Sequence, residues 1–331
     1  MHPVSNINRR TLLGAAAAVT TATTITASAV AQTSAAGLKG KSILITGSSS
    51  GFEYAGALHY ARAGAKVIAS MRNLPRAEAD RLKAEGKKEG LDITVIEIDV
   101  TSDEQVANGV AEAERIAGGA LDALINNAGI GLTGPVEMQD MAATQLMFDT
   151  NVCGCHRMAR AVLPAMRKAK RGQIFNISSQ LGRVIVPGGG HYSATKFALE
   201  AMSEQMAYEL APHGVEVIII QPGGYPTDVW RNRNRYSSDL LARADAERIA
   251  AYAMFTSRMG TEDGSGRSAD IFDVPRAVAE IMALPAGSRP LRRAVHPGAK
   301  PQEAINKVSA ETQLAWLGAS PYGPLIKAVL D

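Results

Sequence analysis

Cysteine is nearly absent. The 331 residues hold two, Cys153 and Cys155, too close in sequence for an ordinary bridge and spaced to share one helix. No disulfide framework can be built from them, and buried structural thiols are the expected role rather than a metal or redox pair. No group of histidines or carboxylates has metal-ligand spacing, so no metal is implied. A formal charge of +3 gives no footprint for nucleic acid or an acidic membrane surface. No run after the N-terminal segment is long and apolar enough to span a bilayer. Internal repeats are missing too, which excludes solenoid architectures.

Acid is also missing from the start of the chain, where no Asp or Glu precedes Glu53. There Asn8-Arg9-Arg10-Thr11-Leu12-Leu13 leads into a mildly apolar Ala- and Thr-rich run, Gly14 to Val30, ending in Ala29-Val30-Ala31 before Gln32. This reads as a cleaved twin-arginine signal over residues 1–31, followed by a linker over 32–40, with a periplasmic destination. An uncleaved anchor or a disordered tail is the bland alternative, leaving the protein membrane-anchored or cytoplasmic. Loss of Arg9 and Arg10 would take the net charge from +3 to +1. The twin-arginine route carries folded proteins, often with a cofactor already seated.

The remainder, in a chain 46% apolar and 20% charged, suits one large α/β domain over residues 41–297. Buried-strand runs occur at Lys41–Thr46, Ala65–Met71, Ile93–Ile98, Leu121–Ile125, Gln173–Ile177, Val215–Ile220 and around Leu291–Val295. Helical patterns separate them, including Phe52–Ala63, Glu104–Ala117, Ala142–Lys168 and Ser193–Leu210. This alternation predicts a doubly wound parallel sheet with helices on both faces. Right-handed crossovers would line the carboxyl ends of the strands along one crevice. Residues 224–272 form a long insertion, suited to a substrate lid, and residues 298–331 a C-terminal arm with an amphipathic-looking Glu303–Trp316 segment.

Three residues carry the chemistry. Tyr192 and Lys196 sit one helical turn apart, and Ser179 lies upstream in Asn176-Ile177-Ser178-Ser179. A phenol alone is a poor acid–base catalyst near neutrality, and a positive charge on the same helix face favours its phenolate form. A serine hydroxyl can hold a carbonyl or alcohol oxygen while the tyrosine moves the proton. The first strand runs into Thr46-Gly47-Ser48-Ser49-Ser50-Gly51-Phe52-Glu53, where glycines and a helix N-terminus suit a pyrophosphate. Asp99-Val100, Asn126-Asn127-Ala128-Gly129 and Pro222-Gly223-Gly224-Tyr225-Pro226-Thr227 follow the later strands.

Taken in this order, with Asn151 and the Tyr192-x3-Lys196 pair, these motifs resemble the classical short-chain dehydrogenase/reductase family over residues 41 to about 297. The resemblance implies a single Rossmann-type sheet of about seven strands in order 3-2-1-4-5-6-7, and a homo-oligomer, dimer or tetramer. It implies hydride transfer between a nicotinamide and a carbonyl or secondary alcohol, with Tyr192 as acid or base and Ser179 orienting the oxygen. Lys196 would hold the nicotinamide ribose, and Asn151 would anchor a water in the proton relay. Gly47, Ser49, Ser50, Gly51, Phe52, Asn126, Ala128, Gly129, Pro222 and Gly223 would line the cofactor. Asp99 with Val100 would meet the adenine, and Thr227 the carboxamide end. Non-catalytic nucleotide binding, or lyase or epimerase chemistry on the same scaffold, are the rival functions.

Glu53 departs from the family, standing where a third glycine is expected. A carboxylate pointing outward in the first helical turn, favoured by the helix dipole, is the expected arrangement; weakened cofactor binding is the sharper alternative. The second strand ends in Ala69-Ser70-Met71-Arg72, with no acid for a ribose 2′-hydroxyl and a guanidinium suited to a 2′-phosphate, which favours NADP(H) over NAD(H). His191 should point away from the site. Val184, Ile185, Val186, Met138 and aromatic lid residues suggest an apolar pocket for a small hydrophobic substrate. Arg231, Arg233 and Arg235 are expected on a solvated lid face.

Overall fold

The computed structural model describes residues 37–330. The segment expected as a signal, 1–31, and most of the expected linker, 32–40, lie outside the described residues. Seven strands form one sheet, β1 (Ser42–Ile45), β2 (Lys66–Met71), β3 (Ile93–Glu97), β4 (Ala123–Asn126), β5 (Gly172–Ile177), β6 (Val215–Pro222) and β7 (Arg292–Val295). Their order is β3-β2-β1-β4-β5-β6-β7 and every neighbouring pair is parallel, the expected arrangement. The helices are α1 (Gly51–Arg62), α2 (Ala77–Glu89), α3 (Asp103–Ala117), α4 (Met141–Phe148), α5 (Gly154–Ala169) and α6 (His191–Leu210). After β6 come α7 (Val229–Arg243), α8 (Ala246–Ala251), α9 (Ala253–Thr256) and α10 (Asp273–Ala283), and β7 is followed by α11 (Gln302–Leu317) and α12 (Gly323–Leu330).

Strand side chains alternate between two faces, and both faces are covered. Ile43 and Ile45, Val67 and Ala69, Phe175 and Ile177 join Tyr60 of α1 and Val278 of α10 in one core. Leu44, Ile68, Leu124, Ile174 and Ile219 point the other way, against Val110 of α3, Met158 of α5 and Met206 of α6. A sheet buried on both sides explains why the strands read as unbroken apolar runs. Local signals stop the helices. Ser102 caps α3 by accepting from the Gln105 N–H at 3.2 Å, and Gly118 ends it at φ 76°.

The single helix expected from Ala142 to Lys168 is interrupted. A π-helical turn over Asp149–Cys153 joins α4 to α5, and Asn151 lies within it. Such a wide turn is a usual device for re-aiming side chains at functional sites. It places the Asn151 side chain on the loop after β4.

Candidate active site

The carboxyl ends of the strands border a crevice of about 500 Å³. Its floor is the loop after β1. Gly47 has φ 73°, and a Cβ there would come within 2.8 Å of Ala128 Cα, so only glycine permits this approach. Thr46 Oγ1 accepts from the N–H groups of Asn127 and Ala128, both at 3.1 Å. The Asn127 amide donates to the carbonyls of Thr46 and Gly47, also at 3.1 Å. Ser50 precedes α1 in extended conformation without bonding the helix through its side chain, leaving the first-turn N–H groups without a side-chain cap. Ser49, Ser50, Gly51, Phe52, Asp99, Val100, Ala128, Gly129, Pro222, Gly223 and Thr227 line the crevice with Gly47. Thr150 Oγ1 and Ser178 Oγ, on lining residues, are buried without a partner. A glycine cradle, uncapped helix N–H groups and unpartnered hydroxyls suit a dinucleotide.

Asn126 is the exception. Its side chain is buried and donates to Asn176 Oδ1 at 2.9 Å, across the β4–β5 pair where the two residues are register partners. It ties the sheet together below the crevice, and Asn127 takes the lining position instead.

Ser179, Tyr192 and Lys196 all line the crevice. Ser179 Oγ accepts from the Leu181 N–H at 3.0 Å, so its own proton is left for another acceptor. Lys196 Nζ donates to the Ile177 carbonyl at 2.8 Å and stands 5.8 Å from the centre of the Tyr192 ring. Asn151 is buried outside the lining. Its amide donates to the Ile130 carbonyl at 2.9 Å and to Thr195 Oγ1 at 3.1 Å, while its oxygen accepts from the Ile130 N–H at 2.8 Å. The side chain thus splints the loop after β4 to α6. His191 bonds Thr144 through Nδ1 at 2.9 Å, outside the crevice lining.

A family model described as short chain dehydrogenase matches residues 41–237. The chain belongs to the short-chain dehydrogenase family. Retinol dehydrogenase 8 from Bos taurus is 39% identical over 191 residues, 57% of this chain and 60% of that one. The 3-ketodihydrosphingosine reductase of Bacteroides thetaiotaomicron is 38% identical over 194 residues, 58% of this chain and 66% of that one. The match therefore spans 60% to 66% of the length of these curated relatives. A short-chain dehydrogenase from Streptomyces avermitilis superimposes with a TM-score of 0.64 at 28% identity, covering 83% of this chain and 96% of its own. A metagenomic short-chain oxidoreductase solved with NADP gives 0.62 at 25%, covering 80% and 100%.

Within this family's frame, Glu53 does not point outward. It is fully buried, accepts a hydrogen bond from the Tyr60 hydroxyl at 3.3 Å through Oε1, and has no partner at Oε2. It does not line the crevice either. The carboxyl lies over Gly56, where a Cβ would come within 2.5 Å of Oε2. Gly56, one turn along α1, makes room for the acid. Burial pushes its pKa from the ordinary 4.5 to about 8, against the smaller opposing effect of the Tyr60 hydrogen bond. A neutral carboxylic acid near pH 7 does not repel a pyrophosphate.

Other expectations divide. Ile185 and Val186 are exposed by 73% and 53% and lie outside the lining, so neither forms an apolar wall. Met138 is buried with Ile130, Leu132, Leu240 of α7 and Met259, in a cluster against which Tyr192 packs. Ile130, Leu132 and Leu181 lie in the lining with Trp230, one of the aromatic residues expected there; Ile130 and Leu132 stand in the irregular segment after β4, where the sequence has no periodic signal. Arg231 is solvated and paired with Asp228, as expected. Arg233 and Arg235 are not on a solvated face alone, because both line the crevice. Cys153 is exposed rather than buried, while Cys155 is enclosed and its thiol is pushed up to about 11 by burial. A second hollow of about 370 Å³, near Lys66, Asp122 and Arg171, lies at the opposite ends of the strands.

Proposed function

We propose that this short-chain dehydrogenase transfers hydride between NADP(H) and a carbonyl or secondary alcohol. The presence of Ser179, Tyr192 and Lys196 in the lining of one crevice, with Lys196 Nζ 5.8 Å from the Tyr192 ring, carries this reading. The bound nicotinamide would supply or accept the hydride. Tyr192 gives a proton to the substrate oxygen in reduction and takes it in oxidation. Ser179 donates its O–H to the same oxygen, that proton being free because its oxygen only accepts from Leu181. Lys196 keeps one N–H on the Ile177 carbonyl, leaving two to grip a ribose and set a positive charge beside the phenol. Replacing Tyr192 by Phe should lower turnover by about 10²–10⁴-fold; full activity in that variant would refute the assignment.

The preference for NADP(H) rests on Arg72, which lines the crevice after β2 where no acid stands. An Arg72→Asp variant should move preference toward NAD(H), measured as the ratio of kcat/KM values. An apolar alcohol or ketone is the substrate class, supported by the Ile130, Leu132, Leu181 and Trp230 lining and by relatives named for retinol and 3-ketodihydrosphingosine. We further propose export by the twin-arginine route, with the nucleotide loaded before transport and retained. Mass spectrometry of the native protein tests this: it should find a chain starting at Gln32 with a bound nucleotide.

A further inference from the structure

The lid helix α7 is attached to β6 through the loop carrying Thr227, yet its Tyr236 hydroxyl accepts a hydrogen bond at 3.4 Å from Arg72, which follows β2. In the sheet, β6 and β2 are separated by β5, β4 and β1. Four inter-strand spacings are about 19 Å, so the lid crosses the whole crevice. Midway, Arg233 lies on the loop after β4, its Cγ and Cδ each 3.4 Å from where a Gly131 Cβ would stand. The crevice beneath, between β1 and β4, is the switch point where a dinucleotide lies in such sheets.

The charges along this path are lopsided. The lining carries Arg72, Arg76, Lys196, Arg233 and Arg235 against one acid, Asp99. Arg76 is paired with Glu78, and Arg233 with Glu262. Among the described residues, Arg72 and Arg235 form no ion pair. The Arg235 guanidinium lies 5.0 Å from the centre of the Tyr236 ring, whose hydroxyl bonds Arg72. Two guanidiniums without an ion pair and a phenol hydroxyl therefore gather at the β2 rim, a donor set fitted to a phosphate dianion.

We propose that Arg235 and Tyr236 of the lid complete, with Arg72, the recess for the adenosine 2′-phosphate. The lid then holds the cofactor as well as the substrate. This rests on the NADP(H) reading above. The test uses nucleotide-free mature protein, titrated calorimetrically with adenosine 2′,5′-bisphosphate and with adenosine 5′-monophosphate. Arg235→Gln should weaken the bisphosphate at least about tenfold and leave the monophosphate unchanged. Tyr236→Phe should weaken it by a smaller factor in the same selective way, while the solvated Arg231→Gln serves as control and should change nothing. If Arg72→Gln loses the bisphosphate selectively but Arg235→Gln and Tyr236→Phe do not, the lid proposal fails alone. If wild type binds both nucleotides equally, the NADP(H) reading fails and takes the lid proposal with it.

Discussion

Replacing Glu53 by Gln asks whether a carboxylic acid is held neutral beside the cofactor loop. The folded-state pKa is raised, from the ordinary 4.5 to about 8, by burial. Between these values the folded chain binds a proton that the unfolded chain has released, so stability falls as pH rises through the window. The contribution is fully present below pH 4.5 and is lost as pH passes about 8. At about 1.4 kcal/mol per pH unit, the window amounts to roughly 5 kcal/mol, an upper bound because α1 can relax around a charge. Gln keeps the acceptor for Tyr60 and the shape over Gly56 but does not titrate. Urea unfolding of both proteins at pH 5.5, 7 and 8.5 isolates this group, since all other titrations cancel in the difference. The variant should lie within about 1–2 kcal/mol of wild type at pH 5.5 and gain on it steadily toward pH 8.5. Parallel stability curves would refute the buried neutral acid.

Three further outcomes follow from the geometry. Gly47→Ala places a Cβ against the Ala128 backbone at a positive φ, and should cost about 1–3 kcal/mol together with nucleotide affinity, read by denaturation and by fluorescence titration. A thiol reagent should label one cysteine in the folded protein and two after unfolding, because Cys153 is exposed and Cys155 enclosed; two rapid equivalents in the native state would contradict this. Asn306 of α11 accepts from Arg183 Nε at 2.9 Å and donates to Gln221 Oε1 at 2.7 Å. Asn306→Leu should lower stability by about 2–4 kcal/mol and raise the cofactor KM more than it lowers kcat. Equal loss in both would mean that Asn306 does not act through Gln221 and the Pro222–Gly223 loop.

The strands were legible because a parallel sheet buries both faces and leaves apolar runs that little else explains. Tyr192 and Lys196 were legible because four residues on a helix is a fixed geometry, and Ser179 because it follows closely on a buried strand. Asn126 and Asn127 were not separable by motif alone. Which of two neighbours faces the crevice depends on where β4 stops, and Asn126 is still paired with Asn176 across the sheet. Glu53 was recoverable in principle. It shares a helix face with Ala57 and Tyr60, both fully buried, and that spacing marks the core side. The exposed Ile185 and Val186, and the lid crossing to Arg72, had no local signal, since loop paths are set by contacts distant in sequence.

The C-terminal arm has a consequence for when the protein becomes competent. Gln221, immediately before Pro222 and Gly223, is held by α11: its carbonyl accepts from Gln302 at 3.3 Å, and its side chain exchanges bonds with Asn306. Its amide also reaches Glu200 on α6, which pairs with Arg292 of β7. The residues bracing the cofactor loop therefore leave the ribosome some eighty positions after the loop itself. A nascent chain with six strands already made would still lack this brace. A chain stopped before Gln302 should build most of its sheet and hold a nicotinamide nucleotide poorly.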